Sequence, residues 1–384
     1  LTADPTETRS RQFRRCLLWG TLPSMISGVA LFLPPTLSPG GKLFYAYVTY
    51  TIVMMAYTMV NVPYGALLGV ISPRSEDRTK LASYRFIGAF IGNIIVQGSL
   101  LYLVKTFGQG NDRLGYPLAM TVFACIAGGL FFFTFSSTKE RVHPMAAATS
   151  ISGDLKDLLR NGQWVMLCAM GLATLIYISV RNGATLYYFK YYIGDQATAA
   201  PFMVTGTIFS IVGALITPQL TRLCGGKKSA FIILTLACTV GMGAFYLIKP
   251  TDRVLLYVCN ILLSVPNAAL FPLIWSMYAD TADYGEWKNG RRATGLVFSA
   301  ATFAQKMGWA IGGALAGFLL NAVGFIANVA QSTSSLGGIR HMMSTIPAAI
   351  SLAVVALAFF YSLDNKLEHR IGTDLAARKR PVAA

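Results

Sequence analysis

Apolar residues run in long blocks along this chain, and short polar, mostly basic clusters separate them. The blocks fall at about 16–34, 43–69, 83–104, 115–136, 164–189, 199–221, 229–248, 254–279, 293–318 and 341–363. A helix needs roughly 20 apolar residues to cross hydrocarbon, and each block is close to that length or longer. The pattern predicts an all-α, polytopic membrane protein with ten transmembrane helices.

The connections set the orientation. Lys and Arg gather before residue 16, at 70–82, 137–163, 222–228 and 280–292, and after 363. The alternate side holds Lys42, Lys105, Arg113, Lys190, Lys249, Arg253 and Arg340. This asymmetry keeps its parity from end to end, so both termini are expected in the cytoplasm. The longest connection, 139–163, divides the chain into a bundle over 1–138 and a second over 164–365, with a tail at 366–384.

Composition agrees. The chain has 384 residues, of which 54% are hydrophobic and 12% charged, about half the charged share of a soluble domain. A net charge of +16 suits nucleic acid in a soluble protein. Here the basic residues sit between apolar blocks, which excludes that partner and leaves the lipid bilayer as the surface they serve. Cys16, Cys125, Cys168, Cys224, Cys238 and Cys259 have no metal-ligand spacing and read as small hydrophobes. No P-loop, HExxH or acid–base–nucleophile set at one depth is present, so neither an enzyme nor a cofactor is expected.

The most informative stretch runs from Leu255 to Gly317. Its second half carries Lys306, with no charged neighbour for ten residues on either side. An ammonium about 20 Å into a helix is costly in lipid unless it faces water or an acid, which marks it as functional. Snorkelling to the headgroups is the alternative. Thr58 and Asn61 are three apart on one helical face, just before Pro63, which frees a backbone carbonyl. Arg85, at the start of its span, is either a site residue or an interfacial anchor. Arg181 is similarly open, and so are the tyrosines of 45–57 and 187–192, which suit an interface belt or a stacking platform. Gly308, Gly312, Gly313 and Gly317 form a small-residue face for close helix packing.

An acidic turn holds Asp280, Asp283 and Glu286 beside Arg291 and Arg292, and the corresponding loop of the first bundle holds Arg74, Glu76, Asp77 and Arg78. These are candidates for an inner gate of solvent-exposed pairs, each weak on its own. A faint echo links Val62-Pro63-Tyr64-Gly65-Ala66-Leu67 with Val265-Pro266-Asn267-Ala268-Ala269-Leu270. The two copies hold matched positions in the two bundles, as a duplicated transport fold requires.

Taken together, Asp4-Pro5-Thr6-Glu7-Thr8-Arg9-Ser10-Arg11, Asn61-Val62-Pro63-Tyr64, Tyr84-Arg85-Phe86, Tyr187-Tyr188-Phe189 with Tyr192-Ile193-Gly194-Asp195, and Ala279-Asp280 through Trp287 resemble the glycoside–pentoside–hexuronide:cation symporters. These are the melibiose-carrier branch of the major facilitator superfamily. The resemblance covers the whole chain. It implies a twelve-helix fold in two six-helix halves, a bacterial cytoplasmic membrane location, and a monomer coupling a small sugar or glycoside to Na+ or H+. The first two helices of that fold, about 70–80 residues, would precede Leu1 and carry the cation-binding acids.

By this resemblance Lys306 joins the sugar and cation sites, and Thr58 stands at a cation-site threonine. Asn61 stands at a sugar-binding aspartate, Arg85 at a sugar-site arginine, Phe271 at a tryptophan beside the sugar, and Thr302 at a threonine one turn before the lysine. Gly65 stands where the melibiose carrier stacks a tryptophan, so its pocket is expected to be roomier or filled from elsewhere. An amide cannot accept the two charge-assisted bonds of an aspartate, which points to pentosides, β-xylosides or glucuronides rather than melibiose. The competing reading is a truncated, non-transporting membrane sensor or interaction protein.

Overall fold

The computed structural model describes residues 12–33, 35, 37–141, 158–290 and 294–378. The Asp4–Arg11 segment, Arg291, Arg292 and most of the 139–163 connection lie outside the described residues. Among the described residues the chain is helical, with no strand.

Four long helices come first: α1 (Gln12–Ala30), α2 (Pro39–Ile71), α3 (Ser75–Gly108) and α4 (Asp112–Ser137). After the connection come α5 (Gly162–Tyr187), α6 (Ala199–Leu223), α7 (Lys227–Phe245), α8 (Arg253–Asn289) and α9 (Thr294–Ala322), then α10 (Thr333–Met343), α11 (Thr345–Phe360) and α12 (Asn365–Arg378). In the first group α1 packs on α2 and α4, and α3 on α4. In the second, α6 packs on α8, α5 on α9 and α11, and α7 on α8 and α11. The groups meet where α3 crosses α6 and α8, and where α2 lies against α9 and α8.

Local chemistry sets the helix ends. Ser38 caps α2 by accepting from the Gly41 amide at 3.3 Å, with Pro39 in the first turn. Asn161 caps α5 by accepting from the Trp164 amide at 3.2 Å. Its other amide end donates to the Thr281 carbonyl at 3.1 Å, tying α5 to α8. Gly290, at φ 71°, stops α8 in a left-handed turn that a side chain resists.

Among the described residues, each apolar block predicted to cross the membrane contains a helix. Seven helices among the described residues are long and apolar enough by themselves to span: α2, α4, α5, α6, α7, α8, and α10 with α11; the bent α3, taken as one span, makes eight. The α1 and α9 helices are not among them. In α9, Gln305, Lys306 and a run of glycines and alanines lower the hydropathy of an otherwise apolar helix.

Two boundaries differ from expectation. The acidic turn after residue 279 is helix, and α8 carries it through to Asn289. Spacing Asp280, Asp283 and Glu286 three apart puts them on one helical face, so their charges need no loop. Helix α3 starts at Ser75, which places Arg85 ten residues inside it rather than at its end.

Glycine sets how closely helices approach, as expected where lipid supplies no hydrophobic drive between them. A Cβ on Gly213 of α6 would lie 2.2 Å from the Val265 carbonyl oxygen of α8. One on Gly312 of α9 would lie 2.5 Å from Ser179 Cβ of α5, and one on Gly308 would lie 2.8 Å from Leu175 Cβ. Gly317 meets nothing within 4 Å and Gly313 barely touches Ser179, so only half of the glycine face is a packing face.

At the far end of α5 the helix widens into a π turn, Tyr188–Ile193, closed by Gly194 at φ 78°. Tyr188 stacks on Tyr192 at 5.0 Å, and Tyr187 and Tyr191 pack edge-on against Phe325. Arg181 lies 5.3 Å over the Phe245 ring. These tyrosines form a second apolar core.

Candidate functional site

Helices α2, α3, α8 and α9 pack against one another, and each supplies residues singled out above. Lys306 of α9 reaches across to α2 and donates to Thr58 Oγ1 at 2.5 Å, with its ammonium 5.4 Å from the Tyr57 ring. It is half-buried, and its ammonium spans from one group of helices to the other. Thr58 donates in turn to the Met54 carbonyl at 2.6 Å, so its remaining lone pairs are what Lys306 uses.

One helical turn along α2, Asn61 Oδ1 accepts from Arg85 Nη2 of α3 at 3.4 Å. The guanidinium lies between two rings, 4.6 Å from the centroid of Tyr64 and 4.4 Å from that of Trp275. Phe271, one turn before Trp275 on α8, packs on Phe86 at 5.6 Å. Thr302 is buried and donates back to the Phe298 carbonyl at 2.8 Å. Its hydroxyl hydrogen is therefore held inside α9. The structure brings Thr58, Asn61, Arg85, Phe271 and Lys306 around one region, with Thr302 behind it. No group of His, Cys, Asp or Glu able to hold a metal ion occurs among the described residues.

Trp275 was missed by the sequence reading. Its signal was the i, i+4 spacing from Phe271, which puts both rings on one face of α8. The place left open by Gly65 is filled from elsewhere: a Cβ there would lie 2.9 Å from Trp275 Cζ3 and 3.4 Å from Phe298 Cδ1.

A charged cluster closes the end of the bundle that carries the α2–α3 turn. Arg78 of α3 pairs with Asp280 at 2.9 Å and with Asp283 at 2.5 Å, both on α8. Lys227 of α7 donates to Asp280 and to Ser75. Ser75 Oγ lies 3.0 Å from both Asp280 Oδ1 and Glu368 Oε2 of α12, and its single hydroxyl hydrogen serves one of them at a time. The expectation of solvent-exposed pairs is corrected here. Arg78 and Asp280 are each 3% exposed and Lys227 4%, because α12 covers them with Ile371 and Leu375 packed beneath it.

Among the other expected gate residues, Glu76 pairs with Arg222 at 3.2 Å in the open. Asp77 accepts from Ser72 at 3.0 Å within its own turn. Arg74 is exposed at the start of α3, and Glu286 is buried on α8. Lys227, Ser75 and Glu368 were not foreseen. Lys227 falls in the stretch 222–228 expected as a basic loop but opens α7, and Glu368 falls in a tail whose helix only the fold brings back.

Comparison with known proteins gives the arrangement its context. The family model described as MFS/sugar transport protein matches residues 2–365. The inner membrane symporter YicJ of Escherichia coli (strain K12) is 33% identical over 383 residues, covering 99% of this chain and 83% of that one. The isoprimeverose transporter of Lactiplantibacillus pentosus is 34% identical over 382 residues, covering 97% and 78%. The crystal structure of the fucose:proton symporter FucP of E. coli superposes with a TM-score of 0.66 at 15% identity, covering 92% of this chain and 84% of that one. That likeness is one of fold. With a family model running over almost its whole length and relatives at a third identity, this chain belongs to the MFS/sugar transport proteins, a family of membrane transporters rather than enzymes.

Proposed function

We propose that this protein is a cation-coupled symporter that takes up a small glycoside across a bacterial cytoplasmic membrane by alternating access. The substrate is a pentoside, a β-xyloside or a glucuronide, and the coupling ion is Na+ or H+. The observation that carries the reading is the Lys306–Thr58 contact, a lone ammonium held between the two groups of helices. A charge in that position responds to both ligands at once, because a cation entering beside Thr58 competes with the ammonium for the same oxygen.

In this reading the division is 1–138 and 164–365, joined by the 139–163 loop, with the 366–384 tail and both ends in the cytoplasm. The protein acts as a monomer, since substrate passes between its own two bundles. Thr58, Asn61, Arg85, Phe271, Thr302 and Lys306 form the substrate region, and Thr58 and Lys306 couple it to the cation. The inner gate is the Arg78–Asp280–Asp283 cluster with Lys227 and Glu368. It closes one end while the substrate region is loaded from the other.

Counterflow in proteoliposomes containing the full chain tests this, using α- and β-linked pentosides, hexosides and uronides with and without sodium. Exchange of at least one panel sugar, stimulated by sodium or by a proton gradient, is the expected result. Normally folded protein with no exchange of any sugar defeats the reading and favours a non-transporting sensor or interaction protein.

A further inference from the structure

Arg85 is held in an unusual way for a half-buried cation. Its Cζ lies 4.6 Å from the Tyr64 centroid of α2 and 4.4 Å from the Trp275 centroid of α8, with Phe86 at 5.9 Å, and among the described residues its hydrogen bond, to Asn61, is long at 3.4 Å. Its Nη1 is buried and has no acceptor among the described residues. A guanidinium donates only in its plane, along a rigid fork. Rings packed this close limit where that fork can point, and here one arm meets Asn61 while the other has no acceptor among the described residues.

The two rings differ in origin. Tyr64 belongs to the same group of helices as Arg85, whereas Trp275 comes from the other group. Trp275 is itself fixed: it is 4% exposed and stacks on Phe298 at 5.8 Å with the planes 23° apart. It also occupies the notch left by the missing side chain of Gly65. A ring so confined has little freedom to tilt.

We propose that Trp275, seated in the Gly65 notch, is a positioning residue for glycoside recognition: it holds the Arg85 plane so that the free Nη1 edge donates to a substrate oxygen. This rests on the reading above that Arg85 lines the sugar region. The pair Gly65 and Trp275 then sets selectivity without either side chain needing to bond the sugar. A donor that is buried and already aimed penalises any analogue lacking the matching oxygen, because the donor is left unpaired.

The test uses uptake by the full chain, comparing the best panel glycoside with its monodeoxy analogues. The unchanged protein is expected to reject one deoxy analogue by roughly a hundredfold in Vmax/KM. Trp275→Phe keeps a ring on Phe298 but loses most of the platform. It should raise KM for the parent sugar about three- to tenfold, leave Vmax within about twofold, and shrink the deoxy discrimination by about tenfold.

Gly65→Ala pushes on the indole and should do the same. The double variant should be no worse than Trp275→Phe alone, since a phenyl ring leaves room for the methyl group. Thermal unfolding in detergent checks that each variant is folded. If Trp275→Phe lowers only Vmax or the yield of folded protein, with KM and discrimination unchanged, the indole is a packing residue and the proposal falls. No uptake by the unchanged chain overturns the glycoside reading itself, and the positioning role with it.

Discussion

Arg78 and Asp280 meet at 2.9 Å with both side chains 3% exposed, and they belong to different groups of helices. A buried pair adds little net stability over an apolar pair, but removing one partner strands the other at a cost of about 3–5 kcal/mol. Asp280→Asn removes the acid that Arg78 and Lys227 share, leaving Arg78 with Asp283 and Lys227 facing Glu368 at 4.0 Å. It should lower the thermal unfolding midpoint far more than Glu76→Gln, whose pair with Arg222 is exposed and contributes about 1 kcal/mol or less. Equal midpoints for the two variants would show that the buried cluster does not join the helices.

Lys306→Ala should reduce sugar accumulation to background while the protein reaches the membrane in normal amount. Thr58→Val keeps the shape and removes the hydroxyl that receives the ammonium. A hydrogen bond to a charged group contributes about 1.5–3 kcal/mol, so uptake should fall roughly ten- to a hundredfold. Near-normal accumulation by the Lys306 variant would remove the basis for coupling through that residue.

The Glu368 carboxyl gives a pH dependence. Burial first, then the Asp280 charge, push its pKa from 4.5 up to about 7, against the opposing pull of Lys227, Ser75 and Arg78. An acid raised on folding binds more protons folded than unfolded. Its contribution to stability is complete below pH 4.5, falls as pH rises through 7, and is level above. The unfolding midpoint of Glu368→Gln, measured across that range, should lack this decline. A decline of the same size in the variant would assign it to other groups.

The glycines of α9 separate by position. Gly312→Ala places a methyl group 2.5 Å from Ser179 Cβ and 2.8 Å from the Ile176 carbonyl, and should cost about 1–3 kcal/mol. Gly317→Ala meets nothing within 4 Å and should be neutral or stabilising by up to about 1 kcal/mol. Denaturant midpoints in detergent distinguish them, and an equal loss at both sites would contradict the packing of α9 on α5.

The apolar blocks were legible because the bilayer leaves the backbone no choice but helix, and Lys306 stood out because lipid makes a lone charge conspicuous. The pairing Arg78–Asp280 was foreseen as chemistry but not as burial. What covers it, α12, follows the last spanning helix, and sequence gives no account of where such a polar helix folds back. Trp275 was hidden for another reason. Its role depends on a glycine 210 positions earlier, and a missing side chain leaves no mark that says which distant ring it admits. Arg85 was foreseen through resemblance, yet its two flanking rings emerge only from the crossing of α2, α3 and α8.

The contact between Gly213 and the Val265 carbonyl has a mechanical consequence. With no room for even a methyl group between them, any residue larger than glycine at 213 acts as a wedge that prises α6 from α8.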